Sequence, residues 1–229
     1  MRRPNYDKEP FVEVPGASGA CVAGWGAIGA RLRDAIAGRA KPKTVLTVEC
    51  YPGVDEDAVC EALCLELRPV LTLRAKDGLK AAGEIERLCA PYLGGADPVF
   101  GYLCPLELPA FFRAAYVTRL RSRAAAVGRG LVLVVGAGAR LIDEGDILVY
   151  ADLARWEIQR RQRRGEIGNL GADNAAESPA LKYKRAFFID WRAADRWKRP
   201  LLRRFDYLLD TNDPGAARSE EHTSELQSP

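Results

Sequence analysis

The sequence predicts an α/β protein, doubly wound, with a mostly parallel sheet and helices on both faces. Three observations point there. Continuous, β-branched apolar runs recur at Thr44–Cys50, Val70–Leu73, Leu131–Val135 and Ile147–Tyr150, and runs of that kind suit strands buried on both faces. Segments of helical periodicity separate them, as in Asp55 to Leu67, where Val59, Leu63 and Leu67 share one face. No internal repeat disturbs the alternation.

The chain has 229 residues, 48% of them apolar and 28% charged, enough for one large domain with a real core and unlike a disordered chain. No uncharged apolar run approaches the roughly eighteen residues of a membrane span. The opening MRRPNYDKEP lacks the apolar segment of a secretory signal, so a cytoplasmic protein without a membrane partner is expected. Cys21, Cys50, Cys60, Cys64, Cys89 and Cys104 lie in apolar segments without C-x-x-C spacing, which reads as buried free thiols. Cys60 and Cys64, one helical turn apart, have no other soft ligand near them in sequence and are assigned to the core.

The last stretch, RSEEHTSELQSP, reads like the translation of a sequencing-adapter oligonucleotide. The expected organisation is therefore a domain of residues 1–217 followed by a foreign tail, 218–229. Setting the tail aside removes the only histidine, His222, and raises the formal charge from +3 to +5, because three glutamates leave with one arginine. That modest charge, with acids spread throughout and no aromatic platform in the basic stretches, argues against a nucleic-acid partner.

In order, Phe11–Val14 is a short strand candidate, followed by a glycine-rich entry loop, PGASGACVAGWG, and a helix over Ala27–Ala37. The glycine spacing fits neither a P-loop nor a dinucleotide fingerprint. After the Thr44–Cys50 strand, Pro52 and Gly53 make a tight turn, and Asp55, Glu56 and Asp57 gather at the N-terminus of the next helix, where they complement its dipole. Helices are expected over Leu79–Leu93 and from Pro109 to Val127, with Phe112, Tyr116 and Leu120 four apart and Arg113, Arg119, Arg121 and Arg123 on a solvated face. DPVFGYL reads as a strand or turn. Beyond a polar loop at 165–178, Ala186–Trp191 reads as a strand, Ala193–Phe205 as a helix interrupted by Pro200, and Tyr207–Asp210 as a closing strand.

The stretch Gly130–Arg164 organises the functional expectation. Asp152 stands where an N-cap belongs, ahead of a helix running to Arg164. Arg155, Arg160, Arg161, Arg163 and Arg164 are too many for one solvated stripe. Arg155, Arg160, Arg161 and Arg164 are the candidate phosphate- or anion-binding residues, placed near the carboxyl edge of the sheet, where doubly wound proteins bind ligands. No catalytic residue and no metal ligand is assigned.

YADLARWEIQRR, NLGADN, KYKRAFFIDWRAADRWK and YLLDTNDP, together with VECYPGVDEDAV and DPVFGYL, resemble in order and spacing the N-terminal region of bacterial class I mannose-6-phosphate isomerase-like proteins. The resemblance covers most of residues 6–214. It implies a parent that interconverts mannose 6-phosphate and fructose 6-phosphate through zinc in a C-terminal cupin domain absent from this chain. That cupin would be the natural partner of the segment, and the segment itself would be an accessory domain, inactive and without a cofactor, with a sugar phosphate as a conceivable ligand.

The order of elements also resembles P-loop nucleoside or uridine kinases, with a strand, loop and helix unit first and an arginine-rich lid helix late. Lid arginines in such kinases clamp phosphoryl oxygens. Here the loop that would carry G-x-x-x-x-G-K-[ST] reads Y-P-G-V-D-E-D, so the Walker A motif is missing. The fold is expected to be kinase-like with its activity lost; a divergent nucleoside-kinase-like phosphotransferase is the alternative.

Overall fold

The structure, a computed structural model, describes residue 15 and residues 19–95, 97–213 and 217–221. Its strands are β1 (Cys21–Ala23), β2 (Lys43–Cys50), β3 (Leu71–Arg74), β4 (Gly130–Gly136), β5 (Ile147–Asp152), β6 (Tyr207–Asp210) and β7 (Arg218–Glu221). They form one mixed sheet in the order β1-β7-β6-β5-β2-β4-β3. The block β3-β4-β2-β5-β6 is parallel throughout, while β7 runs antiparallel to both β1 and β6. The α/β class and the mostly parallel sheet are as the sequence predicts. No helix among the described residues is long and apolar enough to cross a membrane.

Side-chain alternation on the central strands explains the two layers. Leu46, Val48 and Cys50 of β2, with Leu131, Leu133 and Val135 of β4, pack in one core with α1 (Trp25–Gly38) and α2 (Glu56–Leu67). Val45 of β2, with Val132 and Val134 of β4, packs in the other with α3 (Ala82–Cys89) and α4 (Ala114–Ala126). Each fully buried Leu or Val contributes about 1.5–3 kcal/mol, which is why the parallel strands read as unbroken apolar runs. The chain leaves β2 for β3 on one side and later crosses from β4 to β5 on the other. Winding therefore reverses at β2, and a crevice opens at its carboxyl end.

Several elements differ from expectation. The stretch Ala186–Trp191 is not a strand. Residues Ala186–Asp190 form a π-helical turn that joins α6 (Pro179–Arg185) to α7 (Trp191–Lys198) in one continuous helical rod. An apolar run of five cannot choose between strand and helix by periodicity. Here the rod crosses the sheet edge and feeds both cores, Ala186, Trp191 and Ala194 into one and Ile189 and Ala193 into the other. The Pro109 helix also breaks. A 3₁₀ turn spans Leu108–Phe111, Phe112 is extended (φ −108°, ψ 151°) to bury its ring, and α4 begins only at Ala114. Tyr116, expected on the apolar face with Phe112 and Leu120, is exposed.

Leu79–Leu93 shortens to α3 with 3₁₀ turns on either side, and the helix expected to reach Phe205 ends at Lys198, ahead of a 3₁₀ turn that holds Pro200. DPVFGYL contains a turn in which the Asp97 carboxylate accepts from the amides of Val99 and Phe100. All six cysteines are free, and Cys21, expected to be buried, is exposed. The Phe11–Val14 strand lies outside the described residues. Residues 218–221, expected to stand outside the fold, add strand β7 between β1 and β6. Backbone pairing accepts almost any side chain at such a position, so the strand does not bear on the origin of those residues.

Candidate functional site

The crevice begins where β2 ends. The Tyr51 amide donates to the carbonyl of Ala151 on β5 at 2.9 Å, and the Val54 amide returns to Tyr51 at 3.0 Å, closing a tight turn over Pro52 and Gly53. Gly53 has φ +111°, and a Cβ there would stand 2.8 Å from the Ile158 side chain, so both conformation and space call for glycine. Asp55 then caps α2, its carboxylate accepting from the Ala58 amide at 3.0 Å. The half-buried Glu56 accepts from the Ala137 amide just beyond β4 at 2.7 Å, and burial holds its carboxyl above the usual range. Asp57 pairs with Arg74 and with Lys76, the latter at 2.8 Å. The turn after β2 thus carries carboxylates already bound to backbone and cations.

The far wall comes from the loop at 165–178 and the helical rod. Asn169 ties them together, its Nδ2 donating to the Lys182 carbonyl at 3.0 Å and to Asp190 Oδ2 at 2.7 Å. The Leu170 amide also donates to Asp190 Oδ2, at 3.3 Å. Asn174 reciprocates with Asn169, accepting from its amide and donating to its Oδ1, both at 2.8 Å. Lys182, 1% exposed, runs inward and donates to the carbonyls of Gln162, Ala175 and Ile167 at 2.6, 2.5 and 3.4 Å. A lysine that buries its charge must find such acceptors, and these three carbonyls wrap the loop around it.

Between these walls lies a cavity of about 280 Å³. Pro52, Val54 and Glu56 face it from the β2 side, Ile158 and Gln162 from α5 (Arg155–Arg163), and Asn169 and Asp190 from the loop and the π turn. Asp190 is 2% exposed; burial raises its carboxyl, against the pull of Arg185, whose Nε lies 3.5 Å from Oδ1. Below the neighbouring β4–β5 connection, Glu49 is 1% exposed and accepts from the amides of Gly138 and Arg140 at 2.6 and 3.0 Å. Burial pushes its carboxyl up to about 7, the two amides opposing that shift. Among the described residues no three His, Cys, Asp or Glu side chains cluster as metal ligands.

The structure does not gather the four predicted arginines into one site. Arg155 pairs with Asp195 and lies over the Trp191 ring, 5.2 Å from its centroid. Arg160 pairs with Glu157 at 3.3 Å, and Arg164 with Glu157 at 3.1 Å and Glu166 at 2.5 Å. Arg161 is 3% exposed and donates to the Gly53 carbonyl at 3.1 Å and the Thr211 carbonyl at 2.6 Å, a strut from the turn after β2 to the end of β6. The cap assignment is also corrected. Ala154 is the N-cap of α5, while Asp152 remains in β5 and its carboxylate pairs with Lys198 on the rod. The two extra strand residues, Ala151 and Asp152, pair with Leu209 and Asp210 and so delay the helix.

Sequence reading overlooked Gln162, Asn169, Lys182 and Asp190. One signal was available: Asp190 is a lone carboxylate inside an apolar run, AFFIDW, and such a group is buried with partners whatever the secondary structure.

The sequence profile of one protein family, described as Domain of unknown function (DUF8485), matches residues 24–224. The chain belongs to this family. No curated protein matches it. The matched span takes in both walls of the cleft, so the cavity lies wholly within the family domain.

Two outcomes follow from this geometry. Arg161→Met should cost about 3 kcal/mol in urea unfolding, because it strands two buried carbonyls, whereas Arg160→Met should stay within about 0.5 kcal/mol. Equal effects would contradict the strut. The raised Glu49 carboxyl lies above its unfolded value, so the folded state holds the proton more tightly, and its contribution is present at low pH and lost as pH rises through about 7. The protein should be less stable at pH 8 than at pH 5, by about 2–3 kcal/mol from this group. Glu49→Gln should remove most of that difference; an unchanged pH slope in the variant would show that Glu49 does not titrate as described.

Proposed function

We propose that the chain is a ligand-binding module of nucleoside-kinase-like architecture that no longer transfers phosphoryl groups and serves as the accessory domain of a mannose-6-phosphate isomerase-like protein. One observation carries the reading: four of the six motifs behind the family resemblance, scattered in sequence, line a single cleft. VECYPGVDEDAV supplies Val54 and Glu56, YADLARWEIQRR supplies Ile158, NLGADN supplies Asn169, and KYKRAFFIDWRAADRWK supplies Asp190. Their meeting at the carboxyl edge of β2, where the winding reverses, favours a binding role.

Loss of phosphoryl transfer rests on charge. A transferred phosphoryl group needs concentrated positive charge around it. On this cleft wall Lys76 is the one cation among the described residues, and it is bound to Asp57 and stands beside Glu56. The arginines that a kinase lid would offer are held by Asp195, Glu157 and Glu166. In this reading the isomerisation of mannose 6-phosphate belongs to a zinc-bearing cupin domain, and this module contributes recognition.

Calorimetric titration with magnesium and ATP should give no saturable heat at millimolar nucleotide, and the chain alone should not interconvert mannose 6-phosphate and fructose 6-phosphate above a metal-only blank. Saturable ATP binding with phosphoryl transfer to a nucleoside would establish the kinase alternative instead. Isomerase turnover would place the chemistry in this domain.

A further inference from the structure

We infer that the apolar loop at residues 98–103 and the groove beside it form the contact face of a twofold dimer, the loop of each copy seated in the groove of the other. The inference concerns DPVFGYL, a motif that the cleft does not use, and stands apart from the ligand reading.

Val99, Phe100, Tyr102 and Leu103 are 65, 73, 67 and 60% exposed. Single exposed apolar side chains are ordinary, but four of them around one glycine make a contiguous patch, and such patches mark interaction sites. Slack backbone does not explain the exposure. The Asp97 carboxylate holds the amides of Val99 and Phe100 at 2.7 and 2.8 Å, the Tyr102 amide donates to the Tyr92 carbonyl at 2.8 Å, and the Cys104 amide donates to the Phe188 carbonyl at 3.0 Å. Gly101 is pressed against the rod, where a Cβ would stand 2.8 Å from both the Phe188 ring and the Tyr92 carbonyl oxygen. The loop therefore presents its apolar side chains from a fixed backbone, and little ordering entropy is left for a partner to offset.

The shape beside the loop selects the partner. A groove of about 370 Å³ runs between Pro98 and Val99 on one side and Ala180, Tyr183, Phe187 and Phe188 of the rod on the other. A cavity of about 150 Å³ already holds a benzene ring, so the groove has room for the side chains of Phe100 and Leu103 from a second copy. Protrusion and groove adjoin within one chain. A face that carries both halves is self-complementary, which is the condition for a closed twofold contact.

Charge and area agree with that partner. Lys184, the charged residue of the groove wall, is buried and donates to the carbonyls of Gly95 and Asp97. Two cations border the patch, Arg192 over the Phe187 ring at 5.0 Å and Arg196 on the Leu106 carbonyl, against two carboxylates, Asp97 and Glu107, in the flanking loop. So even a balance does not repel a second copy, and it lacks the excess of cations that an anionic bilayer or an acidic partner selects. With Tyr183, also exposed, the patch offers roughly 500 Å² per copy on the scale of apolar side-chain areas, and two copies together reach the threshold of about 1,000 Å² for a specific interface. A contact of that size is reversible.

Sedimentation velocity of the full chain between about 1 and 500 µM tests the inference, and the chain should pass from monomer to dimer with a Kd of about 10–100 µM. Phe100→Ser combined with Leu103→Ser removes the protrusion, and Ala180→Arg fills the groove from an exposed helical position. Each variant should weaken association at least about tenfold without lowering the thermal midpoint. A chain that stays monomeric to 500 µM overturns the inference, and saturable binding of that monomer to phosphatidylcholine–phosphatidylserine vesicles would give the patch to a bilayer instead. Growth beyond a dimer, or a dimer that either folded variant leaves intact, overturns it equally. Should a variant not fold, amide hydrogen exchange of the unaltered protein decides: residues 99–103 should be more protected at 500 µM than at 1 µM, and exchange there that does not change with concentration contradicts the dimer.

Discussion

A carboxylate sealed inside an α/β domain needs donors around it, and the way Asp190 finds them fixes one whole side of this molecule. It sits in a π-helical turn, where the widened backbone brings its side chain toward the loop at 165–178. Asn169 and the Leu170 amide bond one oxygen, and Arg185 stands beside the other. Arg185 in turn donates to the Leu170 carbonyl at 2.7 Å, and Lys182 gathers three carbonyls of the same region. Breaking such a network by removing one partner costs more than any single bond in it, because the remaining polar groups are left buried. A polar loop of fourteen residues by number, 165–178, is thereby turned into a wall.

The opposite wall is built by a similar substitution of internal partners for external ones. Just beyond β4 the Ala137 amide is taken by Glu56, and the amides of Gly138 and Arg140 are taken by Glu49. Arg161 locks the same region by reaching the Gly53 carbonyl from α5. The arginine-rich helix is therefore part of the scaffold: one guanidinium is a buried strut, Arg155 neutralises Asp195 on the rod, and Arg160 and Arg164 neutralise Glu157 on α5 itself.

The fold was legible to the extent that burial on both faces writes itself as unbroken apolar runs. The strands β2 to β5 show this, and Asp55 announces its helix by chemistry as well as position. The rod from Pro179 to Lys198 was not legible in the same way. Residues 186–189, AFFI, are apolar at every position because they feed two cores, and that removes the periodicity that separates a helix from a strand. The site was half legible. The carboxyl edge and the acidic turn could be read locally, but the roles of Asn169, Lys182 and Asp190 arise from contacts between residues far apart in sequence or buried against their type. Asp152 misled because a strand end and a helix cap share a sequence signature, and only the register with β6 distinguishes them.

The central claim is that function resides in the cleft between the acidic turn and the Asp190 wall, and not on the arginine face of α5. Backbone amide chemical shifts followed during a mannose 6-phosphate titration test it most directly. The account predicts saturable shifts at Gly53, Val54, Ala137 and Asn169 to Gly171, with Arg160, Arg163 and Arg164 unmoved. Shifts confined to those arginines, with the cleft amides unchanged, would contradict it.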